Sequence, residues 1–200
     1  MIAIVDYGMG NTASVSTAFT NLGYEVVITD DIQLLESATH VILPGVGSFK
    51  AAMEEINDRN LNAALRKLAK EKPFLGICLG MQLLFEKGFE NGETVGLEII
   101  PGTIDKIETP HILPHIGWNK LQISDKHPAF NRFEAKHVYF VHSYQANTAE
   151  ENIVATTDYG TKIPGIVRKG NVFGIQFHPE KSGEIGIEII RTFMNETANR

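Results

Sequence analysis

The amino-acid sequence predicts an α/β fold, in which an open and mostly parallel β-sheet is flanked by helices and carries an antiparallel extension. In the first half of the chain, short apolar runs of strand length alternate with segments whose apolar residues recur at helical spacing. This alternation is typical of crossover units and a parallel sheet. After Gly88, strand-like segments separated by turns replace it and predict the antiparallel part. The 200 residues, 43% of them hydrophobic, can form a full core, so we expect one domain over residues 1–200.

The elements of the first half follow from local signals. The glycine-rich turn after the first strand lacks the full dinucleotide-binding spacing and has no lysine, so we interpret it as a tight strand-to-helix connection. Asn11 is predicted to cap the helix that follows, and Gly23 to end it in the left-handed conformation. The predicted strands are 2–5, 24–29, 41–43 and 74–77, and the predicted helices are 12–22, 49–56, 61–70 and 79–86.

The second half is predicted to be mainly β-structure with one closing helix. The segment Lys169-Gly170-Asn171 lies between two apolar runs and predicts a hairpin turn. Amphipathic spacing predicts the last helix over 185–194. The predicted strands of this half are 97–106, 116–123, 138–141, 153–156, 166–168 and 172–177.

Composition excludes several classes of protein. A net charge of −6 provides no basic surface for nucleic acid. The single cysteine excludes an internal disulfide framework and fits a reducing compartment. The first apolar run becomes polar at Asp6, too early for a signal peptide, and no apolar stretch is long enough to span a membrane. We therefore expect a cytoplasmic protein without a membrane or nucleic-acid partner.

The single cysteine, Cys78, is the candidate nucleophile. It lies between an apolar run of strand character and a segment of helical spacing, with Gly76 and Gly80 two residues away on either side. A nucleophile on a sharp strand-to-helix turn needs small neighbours, because a Cβ there would crowd the turn and the substrate. The N-terminal amides of a following helix would stabilise a thiolate. The alternative is an inert cysteine of the core, but the two glycines favour a nucleophile.

A histidine and a carboxylate follow the last predicted strand. His178 and Glu180 are two residues apart, so they lie on the same side of an extended segment, and Pro179 favours that geometry. A carboxylate beside an imidazole fixes its tautomer and stabilises the imidazolium. Alone, this pair could equally be a polar surface turn. Together with Cys78, it predicts a catalytic group at one edge of the sheet. His142 could line the same pocket or fill the core.

Two motifs resemble a known family, the class I (triad) glutamine amidotransferases. They are Gly76-Ile77-Cys78-Leu79-Gly80-Met81-Gln82 and Phe177-His178-Pro179-Glu180. The resemblance covers essentially the whole chain and implies a flavodoxin-like sheet. Within the class, the chain is most similar to the glutaminase subunits of imidazole glycerol phosphate synthase. Four further segments and Lys181 carry that closer similarity: residues 6–11, 44–49, 114–119 and 140–144, with Lys181 after Glu180.

The resemblance implies an activity and a partner. Such subunits hydrolyse glutamine and pass the ammonia to a cyclase (synthase) subunit in a heterodimer of histidine biosynthesis. Neither a cofactor nor a metal is expected. A related glutaminase of pyridoxal-phosphate synthesis would carry Pro-Gly-Gly-Glu-Ser where this chain has Pro44-Gly45-Val46-Gly47-Ser48.

The expected roles combine the resemblance with the chemistry of amide hydrolysis. Cys78 attacks the glutamine side chain, His178 protonates the departing ammonia and Glu180 orients His178. The backbone N–H groups of Val46 and Leu79 are expected to form the oxyanion hole. The resemblance places the substrate against Gly47, Gln82, His142, Ser143 and Tyr144, and we expect Asn11, Trp118 and Lys181 near the partner interface.

Two other functions stay open from the sequence. A different enzyme with the same cysteine turn, such as a γ-glutamyl hydrolase, would act without a partner. A catalytically silent binding subunit is disfavoured by the intact Cys78, His178 and Glu180. A further hypothesis concerns control: the peptide between Gly45 and Val46 must flip to complete the oxyanion hole, and the β-branched Val46 resists the flipped state.

Overall fold

A computed structural model describes residues 1–198, and its first half alternates short strands with helices. The strands are β1 (Ile2–Val5), β2 (Val26–Thr29), β3 (His40–Leu43) and β4 (Phe74–Ile77). The helices are α1 (Thr12–Asn21), α2 (Ile32–Ser37), α3 (Phe49–Asp58), α4 (Asn62–Glu71) and α5 (Leu79–Leu83).

The second half is mainly β-structure and ends in a helix. Its strands are β5 (Phe85–Gly88), β6 (Thr94–Val95), β7 (Ile100–Lys106), β8 (His115–Lys120), β9 (Gln122–Ile123), β10 (His137–His142), β11 (Tyr144–Asn147), β12 (Ile153–Asp158), β13 (Lys162–Lys169) and β14 (Val172–Ile175). The closing helix is α6 (Gly183–Thr197), and short 3₁₀ turns lie at Pro128–Phe133, Glu150–Asn152 and Pro179–Lys181.

The predicted fold class is confirmed by the strand order of the main sheet. That order is β2-β1-β3-β4-β14-β13-β12-β9. The neighbours from β2 to β14 pair in parallel, whereas β13, β12 and β9 extend the sheet with antiparallel pairs. Gly170, at φ +61°, lies in the tight turn between β13 and β14, as the hairpin signal predicts. Strands that follow α5 in the chain also form two smaller sheets, β10-β8 and β11-β7-β5-β6.

Capping residues explain where the first helix begins and ends. The side chain of Asn11 accepts a hydrogen bond from the Ser14 N–H at 3.2 Å, which satisfies one of the free amides of the first turn. Gly23 ends the segment at φ +89°, a conformation that glycine adopts without a Cβ clash. Both predictions are confirmed.

Some predicted elements were wrong in extent. The helix predicted over 79–86 ends at Leu83, because Phe85–Gly88 pairs with β7 as a strand and buries Phe85. The strand predicted over 116–123 is divided at Leu121 into β8 and β9, which belong to different sheets. The prediction also missed α2, β6 and β11, which are short and have weak periodicity.

The core lies on both faces of the main sheet. Alternate residues of β1 show this, because Ala3 and Val5 belong to one hydrophobic cluster and Ile2 and Ile4 to the other. The first cluster contains buried residues of α3, α4 and α5, and the second contains those of α1 and α6. Within the part of the chain that is described, no helix is long and apolar enough to cross a bilayer.

Candidate active site

The candidate site lies where three neighbouring parallel strands end. β3 leads into Pro44 and Gly45, β4 leads into Cys78, and β14 leads through Phe177 to His178. Because β3, β4 and β14 are adjacent and parallel, their carboxyl ends meet at the same edge of the sheet. This edge is where ligands bind in open α/β sheets.

Cys78 occupies a strained turn of the kind that nucleophiles use. Its φ of +55° and ψ of −114° are unusual for a residue with a Cβ. Its N–H donates to the Ile175 carbonyl at 2.7 Å, which ties the turn to β14. The two neighbouring glycines are needed: a Cβ at Gly76 would lie 2.6 Å from the Gly80 oxygen, and one at Gly80 would lie 1.8 Å from the Leu43 oxygen. The backbone thus presents the sulfur at the sheet edge.

His178 and Glu180 form the expected hydrogen-bonded pair. The two atoms His178 Nδ1 and Glu180 Oε1 are 2.8 Å apart, and both side chains are buried. Burial by itself lowers the pKa of His178, but its hydrogen bonds and charge interactions with Cys78 and Glu180 outweigh this and raise the pKa to about 9. The imidazole is therefore protonated at neutral pH, with Nε2 left for Cys78.

The backbone around His178 is held by β10. The His178 N–H donates to the Tyr139 carbonyl at 2.9 Å. The Ser182 hydroxyl donates to the His178 carbonyl at 2.7 Å and accepts from the Tyr139 N–H at 2.9 Å. These bonds fix the imidazole against the cysteine turn through long-range contacts.

A cavity of about 380 Å³ opens beside the sulfur and collects most of the predicted site residues. Its walls come from the turns after β3 and β4, from the end of β10, from the 3₁₀ turn after His178, from Pro114 of the segment 114–119, and from Glu90, which the sequence did not indicate. The lining residues are Val46, Gly47, Cys78, Leu79, Gln82, Glu90, Pro114, Val141, His142, Ser143, Tyr144, His178 and Lys181.

Glu90 is the acidic residue of this cavity that sequence reasoning missed. It follows β5, and its Oε2 accepts a hydrogen bond from the Phe49 N–H at 2.8 Å, which holds the carboxylate at the start of α3. Because a helix was predicted over 79–86, β5, the strand that leads to Glu90, was not recognised from the sequence. A carboxylate in this position can bind an ammonium group.

Polar side chains hold the part of the cavity wall that contains the Tyr144 carbonyl. Gln82 donates from Nε2 to the Tyr144 carbonyl at 3.2 Å and to Gln176 Oε1 at 3.1 Å. His142 contacts the same Tyr144 carbonyl through Nδ1 at 2.8 Å. His142 is thus both buried and at the cavity wall, which resolves the two alternatives left by the sequence.

The expected oxyanion hole is not assembled in this conformation. The Leu79 N–H donates to the Gly45 carbonyl at 3.3 Å, so that carbonyl oxygen lies where an oxyanion would bind. In a trans peptide the C=O and N–H point in opposite directions, so the Val46 N–H faces away from Leu79. Tyr7 braces the preceding residue, because its buried hydroxyl donates to the Pro44 carbonyl at 2.9 Å. Burial and the neighbouring Cys78 raise the pKa of Tyr7, which keeps this donor protonated.

The three expected interface residues occupy different places. Lys181 lines the cavity. Asn11 caps α1 and does not line it. Trp118 lies on β8 with 58% of its surface exposed and its ring edge against Tyr139, and Ile116, two residues earlier on the same strand, is equally exposed.

The fold and the site define the class of protein. A sequence model described as "Glutamine amidotransferase class-I" matches residues 3–197. The chain belongs to the class I glutamine amidotransferases.

The relatives of this chain carry a more specific name within that class. A Bacillus cytotoxicus protein named imidazole glycerol phosphate synthase subunit HisH is 48% identical over 195 residues, which is 96% of this chain and 93% of the relative. A protein of the same name from Listeria monocytogenes is 48% identical over 200 residues, covering 98% of this chain and 96% of its own.

Solved structures share the fold at low sequence identity. One described as a glutamine amidotransferase has a TM-score of 0.78 at 19% identity and covers 99% of this chain and 100% of its own. The structure of PurLQS from Thermotoga maritima has a TM-score of 0.74 at 22% identity, with 98% and 97% covered. These similarities concern the fold alone.

Proposed function

We propose that this chain is the glutaminase subunit of an imidazole glycerol phosphate synthase and supplies ammonia to a cyclase subunit in histidine biosynthesis. The observation that carries the proposal is the meeting of Cys78 and the His178–Glu180 pair at one cavity in a chain 48% identical to subunits of that name. Residues 1–200 act as one glutaminase domain of a heterodimer in the cytoplasm.

The first half-reaction forms a glutamyl thioester. Cys78 Sγ attacks the side-chain carboxamide carbon as a thiolate, and the carbonyl oxygen becomes an oxyanion. The His178 imidazolium can give up its Nε2 proton, because its Nδ1–H is engaged by Glu180. When the C–N bond breaks, this proton goes to the leaving nitrogen and ammonia departs. The Glu180 carboxylate keeps the ring oriented throughout.

The second half-reaction releases glutamate. His178, neutral after the first proton transfer, takes a proton from a water molecule, and the resulting hydroxide attacks the thioester carbon. The C–S bond breaks, the thiolate returns to Cys78, and the imidazolium is restored. Both tetrahedral intermediates need the oxyanion hole, for which the N–H groups of Leu79 and, after a peptide flip, Val46 are the donors.

The cavity wall recognises the rest of glutamine. We assign the α-ammonium group to the Glu90 carboxylate, which lines the cavity beside Gly47. The α-carboxylate and side-chain amide lie against the backbone of Gly47 and the segment 142–144, with Gln82 bracing the Tyr144 carbonyl. A substrate that lacks the α-amino group should therefore bind poorly.

The partner must dock at the same edge of the sheet. Ammonia released into water would be protonated and diluted, so the cyclase should cover the cavity mouth, near Lys181. Trp118 supplies an exposed aromatic anchor of the type enriched in binding hot spots. Asn11, at the start of α1, completes the proposed interface.

The experiment that tests this function is Cys78→Ala in the complex with the cyclase. Glutamine-dependent synthesis should be lost, whereas synthesis from added ammonium salt should continue at the wild-type rate, because the chemistry of the partner is untouched. The ammonium-driven rate is an internal control for an intact complex. Loss of both reactions in an intact complex would contradict the assigned role of Cys78. Full glutaminase activity of the wild-type chain without any partner would favour a γ-glutamyl hydrolase that acts alone.

A further inference from the structure

A chain of hydrogen bonds between side chains runs from the glutamine cavity to β8. His142 Nδ1 lies 2.8 Å from the Tyr144 carbonyl oxygen, and His142 Nε2 lies 3.1 Å from His115 Nδ1. His115 Nε2 lies 3.3 Å from Asn119 Nδ2, which is also 2.7 Å from the Asp158 carbonyl oxygen. Both histidines are buried, at 2% and 6% exposure for His115 and His142.

The two ends of this chain determine where each proton lies. A carbonyl oxygen only accepts, so His142 must carry its proton on Nδ1 to bond the Tyr144 carbonyl. In a neutral ring, Nε2 is then an acceptor, and His115 must donate to it from Nδ1. At the other end, Asn119 uses its amide oxygen to accept from the Lys120 N–H at 2.8 Å and its amide nitrogen to donate to Asp158 and His115. Every donor thus faces an acceptor.

The surroundings keep both rings neutral and fixed. His115 is stacked between Phe140 and Tyr159, with ring centroids 4.8 Å and 4.1 Å away. Burial lowers the pKa of each histidine to about 4, and for His142 the nearby His115 and His178 act in the same direction, although its bond to Tyr144 opposes this. Neither ring can rotate freely, and neither is charged at neutral pH.

We propose that His115 is a positioning residue for glutamine binding, because its Nδ1–H holds His142 in the Nδ1–H tautomer that orients the Tyr144 carbonyl and the wall formed by residues 142–144. This inference rests on the proposed function of the cavity. His115 itself does not line the cavity, so it acts through His142. Gln82 also donates to the Tyr144 carbonyl, so the two bonds together fix that peptide.

Two substitutions at His115 distinguish the role of its Nδ1–H donor from the role of its ring in packing. The amide nitrogen of an asparagine can take the place of Nδ1 and donate to His142, whereas a glutamine amide reaches the place of Nε2 and leaves His142 without a donor. His115→Gln should raise the KM for glutamine of the complex roughly tenfold, as expected for a lost buried hydrogen bond, with kcat nearly unchanged. His115→Asn should stay close to wild type. Both variants lose the aromatic stacking, so a merely structural role would affect them equally.

Asn119→Asp tests the same chain from its outer end. The new carboxylate accepts where the amide donated, so it favours the Nε2–H tautomer of His115. His115 Nδ1 and His142 Nε2 would then be two facing acceptors, and His142 would change tautomer and lose its bond to Tyr144. The KM for glutamine should rise although Asn119 does not line the cavity. Because Asn119 is only half-buried, Asn119→Asp tests the proposal even if His115→Gln fails to fold.

Imidazole ¹⁵N NMR of the isolated chain reads the tautomers directly. In the wild type, both His115 and His142 should carry the proton on Nδ1, and Asn119→Asp should move it to Nε2. An Nε2–H tautomer of His142 in the wild type, or equal KM values for His115→Gln and His115→Asn, would overturn the proposal. If the wild-type complex hydrolyses no glutamine, the proposed function fails instead, and the NMR result still reports the hydrogen-bond chain.

Discussion

The orientation of one peptide bond should control the glutaminase rate, and Val46→Gly tests this. In the structure, the Gly45 carbonyl accepts from the Leu79 N–H at 3.3 Å, and Val46 has a negative φ. Rotating the peptide by half a turn would remove the carbonyl from the oxyanion position and bring in the Val46 N–H. The same rotation moves φ of Val46 to positive values, which a β-branched residue resists.

The cost of that rotation sets the size of the effect. Positive φ at a β-branched residue costs about 1–3 kcal/mol, and glycine removes most of this cost. The Leu79–Gly45 hydrogen bond is long, and its loss is compensated when the same N–H binds the oxyanion. Val46→Gly should therefore raise the glutaminase rate of the isolated subunit about 5- to 150-fold. The rate increase should not exceed a factor on the order of 10²–10³, which is the usual contribution of one oxyanion donor to the rate.

The assay compares glutamate release by the isolated subunit and by the complex with its cyclase. Val46→Gly should speed the isolated subunit and narrow the gap to the complex, whose rate should change little. Val46→Ala is the matched control, because it loses the β-branch and keeps the Cβ, and it should lie between glycine and valine. The reasoning is refuted if the isolated glycine variant is folded, binds glutamine and is no faster than the wild type.

Two further predictions concern the proposed interface and the His178–Glu180 pair. Trp118→Ala should weaken the complex by about 2 kcal/mol or more, roughly 30-fold in Kd, measured by titration calorimetry with the cyclase; an unchanged Kd with unchanged ammonia transfer would remove Trp118 from the interface. The pKa of His178, raised to about 9 in the folded chain, makes the protonated ring stabilising below the unfolded pKa near 6.5, and this contribution, at most about 3 kcal/mol, is lost as the pH rises through 9. In urea denaturation between about pH 6 and pH 10, Glu180→Gln should therefore differ most from the wild type at the acidic end, and a difference independent of pH would contradict the assigned pairing.

Local chemistry in the sequence already indicated most of the arrangement of the candidate site. The glycines at 76 and 80 predicted a crowded turn, and in the structure the Gly80 oxygen lies 2.6 Å from where a Cβ of residue 76 would be and the Leu43 oxygen 1.8 Å from where a Cβ of residue 80 would be. The two-residue spacing of His178 and Glu180 predicted their contact, which measures 2.8 Å. Such features are readable because they depend on residues only a few positions apart.

Other features were decided by contacts between distant parts of the chain. Phe85 became part of a strand instead of a helix because β7 pairs with it, and Glu90, which follows that strand, lines the cavity. The bond between His115 and His142 spans 27 residues, and the orientation of the Gly45 carbonyl depends on the amide of Leu79. The spacing of residues along the chain does not indicate which distant residues become hydrogen-bond partners. The sequence by itself determined the strand ends and the chemical groups they carry, and tertiary pairing determined which of those groups face one another, because buried donors and acceptors must find partners wherever the fold supplies them.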